Sequence, residues 1–197
     1  MKRPCIIEFS GLPNSGKTTL LRNVDKICKN AGVKATIVWE PAELLPDVIP
    51  KGVVEQNLWI TLETIQRCLE VRFTSDTDFI LLDRGFYNQL FWAELYKDKD
   101  AKYSEYVTKL LKEFSEMYQV QPDYLYVIDV SVDEAIKRRM LERRGKVTFS
   151  KEDFLINYKK RFEVFYQNVD TPVIYLDTTN LTRDEVANNV FIKLMSL

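Results

Sequence analysis

Eight residues close to the amino terminus constrain this chain more than any other feature of its sequence. Gly11-Leu12-Pro13-Asn14-Ser15-Gly16-Lys17-Thr18 fits the pattern G-x-x-x-x-G-K-[ST] of phosphate-binding loops. The glycines let successive backbone N–H groups converge on phosphate oxygens, and the start of a helix adds further donors. An apolar, strand-like run precedes the loop and apolar residues at helical spacing follow it, as such a loop requires. The sequence therefore predicts a nucleotide phosphate site rather than an ordinary glycine turn.

The residue types in this loop predict how a nucleoside triphosphate is held. Lys17 would reach the outer phosphates, and the hydroxyl of Thr18 would ligate Mg²⁺. The residues of this region that we expect to bind the nucleotide are Gly11, Asn14, Ser15, Gly16, Lys17, Thr18 and Thr19.

Composition places the chain among ordinary globular proteins and excludes several classes of function. Its 197 residues are 46% hydrophobic and 29% charged, and the net charge of −1 does not favour nucleic acid as a partner. No apolar run reaches the roughly 20 residues needed to span a membrane, and no signal peptide is expected. Three cysteines without C-x-x-C spacing predict reduced thiols in a cytoplasmic protein. Because the chain has no histidine, a general base must be a carboxylate, a lysine or the substrate itself.

Hydrophobic patterning predicts five strands that alternate with helices. The strands are expected at residues 5–9, 33–39, 78–83, 123–130 and 173–177, and the helices after the loop at 54–73, 86–96, 102–118, 132–144, 151–168 and 182–195. Two helices carry apolar stripes that we expect to face the core: Leu58, Leu62, Ile65, Leu69 and Phe73 in the first, and Tyr103, Val107, Leu110, Phe114 and Met117 in the other. Strands separated by helices indicate a parallel sheet covered on both faces, in a single α/β domain spanning residues 1–197.

Polar residues follow each predicted strand, where ligands bind in open α/β sheets. We expect Asp83 to hold Mg²⁺, although a strand-ending aspartate can also cap the next helix. Arg84 would bind a phosphate, because a buried guanidinium needs an anionic partner. Glu40 would deprotonate a hydroxyl nucleophile; the alternatives are a solvated side chain or a partner for a nearby arginine.

A basic segment follows the fourth predicted strand. Residues 138–146 contain five cations, and Arg139 and Arg143 lie one helical turn apart, where they can present their guanidinium groups together. We interpret residues 139–150 as a short basic lid over a triphosphate, with a solvated helix face as the alternative. Near the same site, Tyr87 could stack on a base, with packing in the core as the alternative.

With these pieces in place, the chain resembles the thymidylate kinase and deoxynucleoside kinase group of P-loop enzymes. The matching pieces are residues 7–11 with 15–19, Glu40-Pro41, Asp83-Arg84 and the Arg139/Arg143 lid, and they span nearly the whole chain. The resemblance implies a three-layer P-loop NTPase fold with a five-stranded parallel sheet, and ATP with Mg²⁺. It also implies that Arg84 contacts phosphate, that the lid arginines close over ATP, and that adenine lies near Thr178 to Asn180. The helix predicted at 54–73 resembles the base-reading helix of the deoxynucleoside kinase branch, which makes Glu63, Gln66 and Arg67 the expected substrate-binding residues.

The two branches of this group differ in the acceptor of the phosphoryl group, and the sequence leaves that choice open. The deoxynucleoside kinase branch usually has Glu-Arg-Ser where this chain has Asp83-Arg84-Gly85, and the thymidylate kinase branch favours Asp-Arg-Tyr. We expect an ATP- and Mg-dependent kinase of a nucleoside monophosphate or a deoxynucleoside. The alternatives are a regulatory P-loop ATPase, or a kinase of another small hydroxyl acceptor or of a nucleic-acid end. A homodimer is also left open.

Overall fold

The computed structural model describes residues 3–50, 52–74, 76–142 and 152–197. At Glu43, Thr74, Arg139, Leu141 and Glu142 it describes the backbone and not the side chain. Arg143 and most of the predicted lid therefore lie outside the described residues.

Five strands form one sheet in the order β2-β3-β1-β4-β5. The strands are β1 (Cys5–Gly11), β2 (Ala35–Val38), β3 (Phe79–Asp83), β4 (Tyr124–Asp129) and β5 (Val173–Asp177). The parallel pairing of β2 with β3 sets Val38 opposite Leu82, and that of β4 with β5 sets Asp129 opposite Asp177. The predicted α/β class with a five-stranded parallel sheet is confirmed.

Seven α-helices and one 3₁₀ helix connect the strands of the described chain. The α-helices are α1 (Lys17–Asn30), α2 (Val54–Thr74), α3 (Phe86–Tyr96), α4 (Ala101–Tyr118), α5 (Val132–Glu142), α6 (Glu152–Tyr166) and α7 (Arg183–Leu194); the 3₁₀ helix is Pro41–Leu44. Among the described residues, no helix is long and apolar enough to cross a membrane.

The chain divides into two compact units, and β1 contributes to both. The first unit comprises Met1–Glu8 and Lys34–Asp123, and the second comprises Phe9–Val33 and Tyr124–Leu197. The core of the first unit contains Ile6, Val38, Cys68, Ile80, Leu82 and Val120. In the second, α1 packs on α7, and the rings of Phe9 and Tyr126 stack with centroids 5.0 Å apart. That the whole chain forms a single domain stays a prediction.

The buried faces of α2 and α4 differ from the predicted apolar stripes. Leu62 and Phe73 of α2 are 50% and 70% exposed, and Met117 of α4 is 72% exposed. The buried positions include several polar side chains: Asn57, Thr61 and Thr64 on α2, and Ser104 and Ser115 on α4. Thr61 and Thr64 donate hydrogen bonds to the backbone oxygens of Asn57 and Ile60, which lowers the cost of burying their hydroxyls.

Candidate active site

The phosphate-binding loop has the backbone geometry that its glycines and its asparagine permit. Gly11, Asn14 and Gly16 have φ angles of 156°, 64° and 92°, a region that asparagine and glycine tolerate better than other residues. A Cβ atom at Gly11 would collide with the backbone oxygen of Ile128 in β4. The loop therefore needs glycine at position 11 for space as well as for conformation.

The start of α1 is suited to an anion. Gly16 is its N-cap residue, with no side chain to bond the first N–H groups, and the first turn contains no acidic residue. The positive end of the helix dipole and the N–H donors of this turn favour a negatively charged group. The predicted nucleotide contacts of Thr18 and Thr19 belong to this turn, and both side chains are partly exposed.

Lys17 is the first residue of α1, and its side chain is buried against the loop of residues 11–18 to which it belongs. Only 5% of the residue is exposed, and its Nζ atom donates to the backbone oxygens of Leu12 at 2.8 Å and of Gly11 at 3.2 Å. It also donates to Ser15 Oγ at 3.2 Å. The ammonium group is thus held over the loop by oxygen atoms, which is the position from which a lysine can bind phosphate oxygens.

Arg138 is a functional candidate that the sequence analysis did not select. Its Nη1 atom donates to the backbone oxygen of Ser15 at 3.0 Å, and its Nη2 atom donates to that of Thr178 at 2.9 Å. Its Nε atom donates to Glu134 one turn earlier, at 3.1 Å. The guanidinium group of Arg138 therefore connects the phosphate-binding loop to the turn after β5 by hydrogen bonds. The Glu134–Arg138 spacing of four residues was a signal in the sequence that could have indicated a fixed arginine here.

The turn after β5 carries the two residues predicted to lie near adenine. Thr178 is buried, and its hydroxyl donates to the backbone oxygen of Asp129 at 3.0 Å, whereas Asn180 is exposed. Asp177 stabilises the turn by accepting the N–H of Thr179 at 2.8 Å. Hydrogen bonds from the side chain and then the backbone of Thr179 lower the pKa of the Asp177 carboxyl from its ordinary value.

The predicted lid arginines are only partly covered by the structure. The backbone of Arg139 belongs to α5, whereas Arg143 lies outside the described residues. The lid and the roles of these two arginines stay predictions.

In the first unit, the structure brings Glu40 and Arg84 together. The pairing of β2 with β3 makes the two strands end side by side, with Val38 opposite Leu82. Arg84 Nη1 donates to Glu40 Oε1 at 2.5 Å, and the two side chains are 14% and 24% exposed. Of the alternatives for Glu40, partnership with a nearby arginine is therefore observed, and it places an anion-binding cation beside a carboxylate.

Asp83 and Arg84 occupy the sharp connection between β3 and α3. Asp83 is the last residue of β3 and is 2% exposed. Arg84 has a φ angle of 59°, in the left-handed region that costs a residue with a side chain about 1 kcal/mol. A non-glycine residue held in this conformation stores strain, and such strain is common at functional sites.

The remaining predicted substrate residues lie in the first unit with different surroundings. On α2, Arg67 pairs with Glu63 at 3.5 Å and both side chains are 29% exposed, whereas the exposed Gln66 donates to Glu70 at 3.0 Å. Tyr87 is buried at the start of α3, and its hydroxyl accepts a hydrogen bond from Gln121 at 2.8 Å. Substrate binding by these residues stays a prediction.

Oxygen ligands suitable for Mg²⁺ are present at the two predicted positions. Mg²⁺ prefers hard oxygen donors, and the Thr18 hydroxyl and the Asp83 carboxylate are of this kind. Within the part of the chain that the structure describes, no cluster of three or more histidine, cysteine, aspartate or glutamate residues could hold a metal on its own. The chemistry of each residue by itself fits a Mg²⁺ ion that keeps water or phosphate ligands, and metal binding by Thr18 and Asp83 stays a prediction.

Several proteins of known class are similar to this chain in sequence. No family model matches it. A probable thymidylate kinase of Sulfurisphaera tokodaii is 26% identical over 139 residues, which cover 68% of either chain. The probable thymidylate kinase of Methanococcus aeolicus is 22% identical over 196 residues, covering 96% of this chain and 95% of the relative. That of Archaeoglobus fulgidus is 22% identical over 188 residues, covering 88% and 87%.

Solved structures share the fold. The deoxyadenosine kinase from M. mycoides with bound dCTP superimposes with a TM-score of 0.73 at 22% identity, covering 98% of this chain and 100% of that one. Together the comparisons confirm the resemblance to the thymidylate kinase and deoxynucleoside kinase group, and the expectation that the chain is an enzyme of the nucleotide and nucleoside kinase class.

Proposed function

We propose that this protein transfers a phosphoryl group from ATP, with Mg²⁺, to a nucleoside monophosphate or to a deoxynucleoside. The observation that carries the choice of a kinase over an ATPase is the ion pair between Arg84 and Glu40. A guanidinium that can bind phosphate and a carboxylate that can accept a hydroxyl proton are groups that an acceptor needs and simple hydrolysis does not. Arg84 lies at a strained connection, which supports a functional role.

Residues of the second unit are proposed to bind ATP, the donor of the phosphoryl group. Backbone N–H groups of the loop and of the first turn of α1 bind the phosphates, and Lys17 exchanges loop oxygens for phosphate oxygens. Arg138 fixes the loop relative to Thr178, beside which the adenine is proposed to lie with Asn180. Lys17 and the proposed lid arginines, Arg139 and Arg143, then stabilise charge on the transferred group.

Thr18 and Asp83 would hold the magnesium that accompanies the nucleotide. When bound, Mg²⁺ neutralises charge on the phosphate oxygens during transfer. The hydroxyl of Thr18 offers a direct ligand, and the buried carboxylate of Asp83 offers either a ligand or a hydrogen-bond acceptor for a metal-bound water.

Residues of the first unit are proposed to bind the molecule that accepts the phosphoryl group. Different observations support two kinds of acceptor. A monophosphate is supported by the sequence relatives, which are named thymidylate kinases, and by the guanidinium of Arg84. A monophosphate is already an anionic nucleophile and needs cationic positioning. A deoxynucleoside is supported by Glu40, because a neutral hydroxyl needs a base. Glu63, Gln66, Arg67 and Tyr87 are the proposed contacts to the rest of the acceptor.

An acceptor panel tests this proposal. Purified protein with Mg²⁺ and ATP is incubated with thymidine monophosphate, other nucleoside monophosphates and deoxynucleosides, and products are identified by mass. We expect one acceptor class to gain a single phosphoryl group. ATP hydrolysis that no acceptor accelerates would contradict the proposal and favour the regulatory ATPase. Transfer only to another small alcohol or to nucleic-acid ends would favour those alternatives, and salt dependence of binding would identify the latter.

Glu40→Gln then separates the two acceptors. If Glu40 is the base for a hydroxyl, this variant should lose on the order of 10²–10⁴-fold in turnover. If the acceptor is a monophosphate, turnover should stay close to that of the unmodified protein, provided that Arg84 remains in place. Glu113→Gln on α4 is a matched control with normal expected turnover, because it removes the same charge from a carboxylate that is paired with Lys109 outside the proposed site. A cytoplasmic location belongs to the same proposal, whereas the oligomeric state is left open.

A further inference from the structure

We propose that Glu8 is a positioning residue that fixes Arg84, and through it the Arg84–Glu40 pair, by acting as a remote cap of α3. This inference rests on the proposed function. Glu8 lies within β1 and is fully buried, although a buried carboxylate is costly unless hydrogen bonds or charges compensate it. It lies far along the chain from the acceptor residues.

The carboxylate of Glu8 binds the first turn of α3 with both of its oxygen atoms. Oε2 accepts the N–H of Tyr87 at 2.8 Å, and Oε1 accepts that of Asn88 at 2.7 Å. Tyr87 and Asn88 are the second and third residues of α3, so these are two of the N–H groups for which a helix has no partner of its own. The negative charge also lies at the positive end of the helix dipole.

The local sequence cannot supply this cap. The N-cap residue of α3 is Gly85, which has no side chain, and the first turn has no acidic residue. A Cβ atom at Gly85 would lie 3.0 Å from Glu8 Oε2 and 2.7 Å from Leu82 Cδ1. The space in which a capping side chain would begin is therefore taken by Glu8 and Leu82.

Arg84 is held between two fixed elements. On one side, β3 ends at the buried Asp83; on the other, Glu8 anchors the first turn of α3 only three residues after Arg84. The left-handed conformation of Arg84 persists only where its surroundings enforce it. Without the anchor, Arg84 could relax to an ordinary conformation, and its guanidinium would move away from Glu40. Glu8 would thus act on the Arg84–Glu40 pair through the backbone of α3.

The test measures whether the coupling between Glu40 and Arg84 depends on Glu8. Glu40→Gln and Arg84→Gln are combined in a double-mutant cycle, and stability is measured by urea unfolding. The cycle is repeated with Glu8→Ala, and with Glu8→Gln as a second background that preserves the shape of the side chain in case Glu8→Ala does not fold. We expect the coupling to be lost or strongly reduced in both backgrounds. Unchanged coupling would overturn the proposal, even if Glu8 variants are less stable.

A rescue variant moves the cap into the local sequence. In Glu8→Ala/Gly85→Ser, the hydroxyl can accept the N–H of Asn88, and Leu82 Cδ1, the end of a flexible side chain, can rotate away. We expect Gly85→Ser to weaken the Glu40–Arg84 coupling in the unmodified protein, where it meets Glu8, and to restore it in Glu8→Ala. The same sign of effect in both backgrounds would contradict the remote cap.

Kinetic measurements test whether Glu8 affects catalysis. They also distinguish failure of the positioning role of Glu8 from failure of the proposed kinase function. Glu8→Gln should lower turnover of the acceptor by about 10- to 10²-fold, because the pair is misplaced, and leave the dissociation constant of Mg-ATP unchanged. Normal turnover together with lost coupling would overturn the positioning role. If the unmodified protein transfers phosphate to no acceptor, the proposed function fails, and the coupling measurement still decides whether Glu8 fixes Arg84.

Discussion

Arg84 Nη1 and Glu40 Oε1 lie 2.5 Å apart, although 44 positions separate these residues in the sequence. The pair forms because β2 and β3 end side by side and because Arg84 adopts a left-handed backbone conformation. Arg84 therefore provides the charge that pairs with Glu40, and its left-handed backbone conformation lowers the stability of the fold. Substitutions that separate these two properties should have opposite effects on activity and stability.

Arg84→Gly and Arg84→Ala should both abolish the ion pair, and the glycine variant should be the more stable one. Glycine adopts a φ angle of 59° without the steric cost that alanine pays, although it also makes the unfolded chain more flexible. We expect Arg84→Gly to exceed Arg84→Ala by about 0.5–1 kcal/mol in the free energy of unfolding. Urea denaturation of the two variants measures this difference.

Arg67 provides the matched control for this comparison. It is also paired with a glutamate, but it lies inside α2, where glycine is about 1 kcal/mol less favourable than alanine. The order of stability should therefore reverse at position 67. If alanine is the more stable residue at both positions, the strain assigned to Arg84 is wrong.

Lys17→Ala should abolish phosphoryl transfer while the fold is retained. The bonds of the Nζ atom described above go to oxygen atoms of its own loop and not to the apolar core, so we expect the fold to remain. We expect a loss of at least about 10²–10³-fold in turnover, the usual effect of removing one donor to a transition-state anion. Lys29→Ala, at the exposed end of the same helix, should have normal turnover. Circular dichroism verifies the fold, and normal turnover of Lys17→Ala would remove the loop from the proposed mechanism.

Local sequence patterns were sufficient to predict the strands and the α-helices, although not the 3₁₀ helix at Pro41–Leu44. The predicted bounds of α3 and β5 are those observed. Local signals set them: Gly85 directly precedes the first residue of α3, and the apolar run up to Asp177 forms β5. Which face of a helix is buried depends on distant neighbours. On α2 the buried face includes Asn57, Thr61 and Thr64, so apolar periodicity was only partly correct: Leu69 packs against the core, whereas Leu62 and Phe73 are exposed.

The site shows the same division between local and distant information. Strand ends identified Glu40 and Arg84 as candidates, but their pairing depends on the register of β2 with β3, which no local pattern contains. In the basic segment, the prediction included Arg139 and not Arg138, whose guanidinium group contacts the loop of residues 11–18. Each residue is rotated by about 100° from the next around a helix, so the packing of α5, which no local pattern contains, decides that Arg138 faces the loop.

Arg138→Ala should weaken ATP binding without affecting the acceptor. It removes the hydrogen bonds that connect the backbone oxygens of Ser15 and Thr178, and bonds from a charged donor contribute about 1.5–3 kcal/mol each. We expect the dissociation constant of Mg-ATP to rise by about 10-fold or more, as calorimetry can measure. Lys137→Ala is the control, because the neighbouring side chain pairs with the same Glu134 but is 70% exposed. Equal effects of the two substitutions would indicate a general loss of positive charge instead of a specific connection.

Glu134 should stabilise the fold in a pH-dependent manner through Arg138. The hydrogen bond from Arg138 is the main cause that lowers the pKa of the Glu134 carboxyl below its ordinary value of 4.5, and Lys137 adds to it. A carboxyl whose pKa is lower in the folded state contributes stability that is complete above its ordinary pKa and is lost as the pH falls through the folded value. At pH values well above 4.5, the urea midpoint of Glu134→Gln should therefore lie below that of the unmodified protein, and this difference should disappear at lower pH.

The control is the same substitution in the Arg138→Ala background. There the effect of Glu134→Gln on the urea midpoint should depend little on pH, because the main cause of the pKa shift is gone. A difference that persists unchanged into the acidic range would show that the carboxylate of Glu134 is not what Arg138 stabilises.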